Sequence, residues 1–105
     1  MATKVFISQP MRGKTDQEII GEREHAKDFL TGLLKEPIEF IDSIIDEKPD
    51  DSIDIYRIPV WYLSKSIELL AKADIAFFCR GWREARGCVI EHEVAERYVI
   101  TIIEE

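Results

Sequence analysis

Apolar positions along this chain follow two different spacings. Some are gathered in short runs rich in β-branched and aromatic residues, which is typical of buried strands. Others recur every three or four residues, as they do on one face of a helix. The short runs predict strands at 4–8, 38–41, 74–79 and 98–103. The helical spacing predicts helices at 15–35, from about 59 to 71, and at 86–97.

Local signals support these boundaries. Thr15 followed by Glu18 forms a capping-box pattern, so we expect the first helix to begin there. Pro37 ends that helix, and Pro59 suits the first turn of the second. Residues 42–57 are acidic and turn-prone, which indicates a long surface loop with at most a helical turn. The apolar residues expected to face inward on the third helix are Val89, Ile90 and Val94.

The alternation of strands and helices predicts an α/β fold with a parallel sheet. We expect the flavodoxin-like (Rossmann-like) three-layer fold, with four strands in the order 2-1-3-4. Ligands of such sheets bind beyond the carboxyl ends of the strands, where the winding reverses. Here the loops at the reversal are 8–14 and 80–87, so topology and composition indicate one cleft. Its glycines and arginines are Arg12, Gly13, Arg80, Gly81, Arg83, Arg86 and Gly87.

Length and charge narrow the classes of function. The 105 residues fit a single domain, 1–105. The formal net charge of −7 argues against binding of a nucleic-acid polymer. No apolar run approaches the roughly 20 residues of a membrane span, and the first residues lack a signal-peptide core. We therefore expect a cytoplasmic protein that does not bind membranes, and its two cysteines are too few for a disulfide framework.

Glu91 is the first candidate for chemistry. It falls in the second turn of the third predicted helix, within reach of the cleft. The free N–H groups at a helix start favour anions and would keep a carboxylate ionised, as a nucleophile requires. The alternative is an exposed glutamate that only complements the helix dipole. Glu93 lies about 200° further around the helix and is expected to be solvated.

The arginines of the two loops and Trp82 are candidates for ligand binding. A guanidinium group offers two donors to a phosphate or carboxylate, and an indole ring can stack on a base or a sugar. The alternatives are surface arginines that balance an acidic chain, and an aromatic residue used for packing or a subunit contact.

Metal and cofactor sites find little support in the sequence. Cys79, Cys88 and His92 provide three soft ligands, fewer than the four of a structural zinc site, so no metal is expected. A Cys88 nucleophile with His92 as its base is conceivable, but a small buried cysteine is the simpler interpretation. Glycine-rich dinucleotide and nucleoside-triphosphate motifs are missing from the sequence, and we expect no cofactor.

Three segments together resemble a known family. Residues 87–95, Gly-Cys-Val-Ile-Glu-His-Glu-Val-Ala, resemble the Gly-x-x-x-Glu-x-Gly-x-Ala segment of nucleoside 2-deoxyribosyltransferases and related nucleotide N-glycosidases. Residues 73–78 are similar to their Ala-Asp-hydrophobic strand, and residues 5–13 to their first strand and its loop. The resemblance covers nearly the whole chain, and is greatest to a short branch found among phage and prophage proteins.

The resemblance implies a function and a site. Glu91 would be the nucleophile that attacks the anomeric carbon of a nucleoside or nucleotide, by transfer or hydrolysis, and arginines would hold a 5′-phosphate. The resemblance also implies a homodimer or larger homo-oligomer. The residues it places at the substrate are Ser8, Gln9, Met11, Arg12, Gly13, Ser66, Arg80, Gly81, Trp82, Arg86 and Gly87.

The sequence departs from the family at the expected helpers of the nucleophile. Ser66 stands where a second acid is usual, and Ala85 where the family tends to have aspartate or serine. The general acid is therefore unassigned between Glu84 and His92. Two alternatives follow: a module that binds or senses a nucleotide without cleaving it, and an interaction protein that uses three aromatic residues at an oligomer contact. Those aromatic residues are Trp61, Tyr62 and Trp82.

Overall fold

A computed structural model describes residues 2–105 of the chain. The strands are β1 (Thr3–Ser8), β2 (Ile38–Ile41), β3 (Ile75–Phe78) and β4 (Thr101–Glu104). The α-helices are α1 (Asp16–Leu34), α2 (Ile58–Leu70) and α3 (Arg86–Arg97). Short 3₁₀ turns at Ile55–Arg57 and Trp82–Glu84 precede α2 and α3. The strands are parallel in the order β2-β1-β3-β4, which confirms the flavodoxin-like three-layer α/β fold.

The sheet packs a different hydrophobic cluster on each face, because successive side chains of a strand point to opposite sides. On one face, Val5 and Ile7 of β1 pack with Ala26 and Leu30 of α1. On the other, β1 and β3 pack against α2 and α3, and this cluster contains Phe6, Phe78, Leu70, Cys88 and Ala95. The alternation places Ser8, the last residue of β1, on the face that α3 covers.

The start of α1 is fixed by the predicted capping box. Thr15 Oγ1 accepts a hydrogen bond from the backbone N–H of Glu18, at 3.1 Å. Glu18 Oε1 accepts one from the backbone N–H of Thr15, at 3.0 Å. Two of the free donors of the first turn are satisfied in this way. Lys35 closes the helix in a left-handed conformation, with φ of 51°, just before Pro37.

Two expectations for the C-terminal part are wrong. Strand β4 begins at Thr101 rather than at 98, because α3 ends in a turn in which Val99 has φ of 60° and is 90% exposed. Val89 and Ile90 are also exposed instead of facing inward. The inward stripe of α3 is formed by small side chains that allow close packing on the sheet, together with one carboxylate. These residues are Cys88, Glu91 and Ala95.

The segment between β2 and α2 is largely irregular, as expected. Its one helical turn is Ile55–Arg57, where the Asp54 side chain accepts a hydrogen bond from the Tyr56 backbone N–H at 2.8 Å. Within residues 2–105, none of the helices combines the length and the apolar character that crossing a membrane requires.

Candidate functional site

A cavity of about 530 Å³ opens at the carboxyl ends of β1 and β3, where the sheet topology predicts a ligand site. From the β1 side, its wall includes four predicted residues, namely Ser8, Gln9, Met11 and Arg12. From the loop after β3 and from α3, it includes Gly81, Arg86, Gly87 and Glu91. Ser66 of α2 completes this predicted set. The structure therefore brings together nine of the twelve residues that the sequence analysis selected.

Trp82, Arg80 and Gly13 do not line this cavity. Trp82 is only 9% exposed, and its ring stacks on His92 with centroids 4.0 Å apart and planes 7° apart. This environment fits the packing alternative for Trp82, because core residues occupy the faces of its ring. The guanidinium group of Arg83 lies over the same ring at 4.7 Å.

Arg80 lies at a second, smaller hollow, together with His25 and Glu105. Its backbone N–H donates to Glu105 Oε1 at 2.9 Å. Gly13 adopts φ of 79° in the loop after β1, a conformation that suits glycine. Its contribution is therefore to the loop backbone. Neither Arg80 nor Gly13 is part of the wall of the main cavity.

Glu91 is the buried carboxylate of the cavity, with 7% of its surface exposed. The Ser8 hydroxyl donates a hydrogen bond to Glu91 Oε1 at 2.6 Å, joining residues 83 positions apart in the sequence. Burial raises the pKa of Glu91, while the hydroxyl groups of Ser8 and Ser66 lower it. The expectation that the helix start keeps Glu91 ionised omits this burial.

Glu93 shows the contrast expected from helix geometry. It is exposed and pairs with Arg97 on the outer side of α3. Because Glu91 and Glu93 share one helix but only Glu91 reaches the cavity, Glu93 is a matched control for the carboxylate of the site.

Cys88 and His92 do not form a nucleophile and base pair. Burial raises the pKa of Cys88 to about 11, so its sulfur is a thiol at neutral pH. His92 Nε2 lies 2.8 Å from Glu104, and its ring stacks on Trp82. Both partners place His92 outside the cavity wall. Of the two candidate general acids, Glu84 lines the cavity and His92 does not.

Two exposed arginines give the cavity wall a basic part. Arg12 lines it from the loop after β1 and Arg86 from the start of α3, and neither makes a salt bridge within residues 2–105. The N-cap residue of α3 is Ala85, whose side chain cannot accept a hydrogen bond from the first turn. The N–H groups of the first turn of α3 are therefore available at the cavity, where they favour an anion.

Sequence reasoning missed a polar contact behind the wall. Arg23 of α1, which is 7% exposed, donates to Ser43 Oγ at 2.7 Å. Ser43 lines the cavity and donates in turn to the carbonyl of Ile7 at 3.0 Å. Burial lowers the pKa of Arg23, and Asp42 opposes that effect. The position of Ser43 just after β2, at the same sheet edge, was the available signal.

No group of three histidine, cysteine, aspartate or glutamate side chains within residues 2–105 could hold a metal ion. The chain matches no protein-family model, no curated protein and no solved structure. Fold and geometry define a flavodoxin-like α/β protein with a buried carboxylate at the switch point of its sheet. The chemistry of the site therefore follows from its own residues.

Proposed function

We propose that the chain is a nucleoside 2-deoxyribosyltransferase-like enzyme that cleaves the N-glycosidic bond of a nucleoside or nucleotide, with Glu91 as nucleophile. The observation that carries the proposal is the buried Glu91 carboxylate, held by Ser8 at 2.6 Å in the wall of the switch-point cavity. A carboxylate fixed beside a sugar can form and release a glycosyl ester. The cavity, of about 530 Å³, falls within the range of small-molecule sites.

The reaction proceeds in two displacements. An oxygen of ionised Glu91 attacks the anomeric carbon while the bond to the base breaks and the base nitrogen takes the electron pair. Water then attacks the same carbon, which frees the sugar and the Glu91 carboxylate and releases a proton. In a transfer reaction, the nitrogen of a second base replaces the water. Burial favours the protonated form of Glu91, so we expect the rate to rise as pH passes upward through its pKa.

Arg12, Arg86 and the start of α3 form the proposed binding region for a 5′-phosphate. Guanidinium groups and free helix N–H groups both favour phosphate oxygens. Arg86→Ala is expected to weaken nucleotide binding about tenfold, a loss typical of one charged hydrogen-bonding partner. Arg80→Ala is the matched control, because Arg80 lies at the second hollow. Equal losses of affinity in the two variants would contradict this assignment.

Base release from a panel of nucleosides and nucleotides tests the reaction. The panel pairs ribo and deoxy sugars, includes each common base, and is measured with and without a 5′-phosphate. We expect chromatography to detect free base with the wild type and with Glu93→Gln, but not with Glu91→Gln. Absence of base release from every substrate, or equal release by Glu91→Gln, would overturn the proposal.

The second candidate function is a nucleotide-binding or sensing module that does not cleave its ligand. It is favoured by Ser66 and Ala85, which line the cavity. The family that the chain resembles usually has an acid at the first of these positions and tends to have aspartate or serine at the second. Thermal unfolding with the same panel separates the candidates, because a ligand that binds only the folded state raises Tm. A rise in Tm without base release would select the binding module.

We also propose that the protein is cytoplasmic and forms a homodimer or larger homo-oligomer. Exposed apolar residues lie on α2, on the 3₁₀ turn before it and on α3, and association would remove them from water. They are Ile55, Tyr56, Val60, Val89 and Ile90. Light scattering coupled to size exclusion measures the assembly, and a monomer at micromolar concentration would contradict this part.

A further inference from the structure

We infer that Ser8 is a positioning residue for Glu91 and does not act primarily as a contact for the ligand. The inference rests on the proposed function for its role in the reaction. Its structural basis is the 2.6 Å hydrogen bond between two buried side chains of the cavity wall, Ser8 and Glu91.

The backbone of Ser8 is fixed more firmly than a loop residue would be. Ser8 is the last residue of β1 and pairs with Phe78 of β3. Its carbonyl accepts a hydrogen bond from the Cys79 N–H at 3.0 Å, and the residue is 2% exposed. A side chain held in a central strand can locate a neighbour accurately. The 2.6 Å contact with Glu91 therefore sets the position of Oε1.

Proton counting gives the direction of the hydrogen bond. A serine hydroxyl has one proton to donate, whereas an ionised carboxylate can only accept. The Ser8 hydroxyl therefore donates and Glu91 Oε1 accepts. The same hydroxyl lowers the pKa of Glu91 against the effect of burial.

The direction of the Ser8–Glu91 hydrogen bond affects the reactivity of Glu91. A hydrogen bond donated to the ionised form of a carboxyl group favours that form and opposes the effect of burial. Ser8 thereby increases the fraction of Glu91 that is ready to attack. The Ser66 hydroxyl of α2 also lowers the pKa of Glu91.

Titration of the Glu91 carboxyl carbon by NMR tests the inference without a substrate. The signal is assigned by its loss in Glu91→Gln. We expect Ser8→Ala to move the titration to higher pH, and Ser8→Thr, which retains the hydroxyl, to restore most of the wild-type position. Ser64→Ala is the control, because the Ser64 hydroxyl donates to the Trp61 carbonyl on the exposed side of α2.

An unchanged titration in Ser8→Ala would overturn the inference. If that variant does not fold, Ser8→Cys is used, since it keeps the size of the side chain but donates weakly. A shift in the titration together with no base release from any nucleotide would leave the inference standing and refute the proposed reaction.

Kinetics distinguish positioning from ligand binding. The wild-type kcat is expected to rise with pH as Glu91 ionises. At pH values below this rise, Ser8→Ala is expected to lower kcat about tenfold, which is the effect of losing one charged hydrogen bond. At higher pH, the kcat of the variant is expected to recover. A ligand contact would instead raise KM to the same extent at every pH. That second pattern would contradict the positioning role.

Discussion

Glu91 and Arg23 are equally buried, but they lie on opposite faces of the sheet and in different surroundings. Each is 7% exposed. Glu91 projects from α3, lines the cavity and accepts a hydrogen bond from Ser8. Arg23 projects from α1 and donates to Ser43, which stands between it and the cavity. Both contacts converge on the end of β1, because Ser43 also bonds the carbonyl of Ile7.

The difference shows that burial alone does not mark a reactive group. Removing a charge from water costs several kcal/mol unless polar partners replace the water. Arg23 has one such partner, and its Nε has none among the described residues. Glu91 has a hydroxyl partner and direct access to a ligand. We interpret Arg23 as support for the cavity wall, and Glu91 as the group that reacts.

The largest expected effect is on the rate of base release, which should depend on Glu91 far more than on Arg23. Glu91→Gln removes the nucleophile and is expected to lower base release by at least about 10³-fold. Arg23→Met removes a group behind the wall and is expected to lower it by less than about tenfold. The two rates are measured on the best substrate of the panel. Equal losses would show that Arg23 belongs to the reacting site.

The second prediction concerns the Arg23–Ser43 contact. Ser43→Ala is expected to lower the free energy of unfolding by about 2 kcal/mol, because the guanidinium loses its partner and the Ile7 carbonyl loses a donor. The same change in an Arg23→Met background should be less costly, since no buried charge remains. Urea unfolding of the four proteins measures this coupling. Identical losses in the two backgrounds would mean that the contact adds nothing.

The third prediction uses pH to measure the cost of burying Glu91. Its pKa is raised in the folded state, so folding favours the protonated form. The stabilising contribution is complete below the ordinary glutamate pKa and is lost as pH rises through the raised value. Glu91→Gln is therefore expected to exceed the wild type in stability at neutral pH by about 1 kcal/mol, with the gap closing in acid.

Unfolding curves at several pH values test the third prediction, with Glu93→Gln as control. Glu93 is exposed and pairs only with Arg97 on the surface, so its variant should stay within about 0.5 kcal/mol of the wild type. A gap for Glu91→Gln that widens in acid would reverse the sign and contradict the burial argument.

The smallest expected effect is the change in stability when the Arg23 charge is removed. Arg23→Met replaces an incompletely paired guanidinium with an apolar side chain of similar length, and such replacements are neutral or stabilising. We expect the free energy of unfolding to stay constant or to rise by about 1 kcal/mol. A loss above about 2 kcal/mol in urea unfolding would show that Arg23 stabilises the fold by more than its visible contact.

The fold and the place of the site could be predicted because their signals are local or topological. The apolar runs gave the strands, Thr15 and Glu18 gave the start of α1, and the strand order placed the cavity at the ends of β1 and β3. Glu91 was selected because the helix start after β3 brings it to that edge.

The failures concern packing between distant residues. On α3, the sequence allows two apolar faces, one with Val89 and Ile90 and one with Cys88 and Ala95. Only the packing of the helix on the sheet decides which face is buried. Trp82 could not be assigned to the core before its stacking on His92 was known. The Arg23–Ser43 contact joins residues 20 positions apart, which no local pattern indicates.

The most direct test of the central claim is mass spectrometry of the enzyme quenched during turnover. Trypsin cleavage after Arg86 and Arg97 isolates the peptide 87–97, which contains Glu91, Glu93 and Glu96. We predict a glycosyl adduct on Glu91 of the wild type and none on the peptide from Glu91→Gln. Base release with no adduct on this peptide, or an adduct on another residue, would contradict the account.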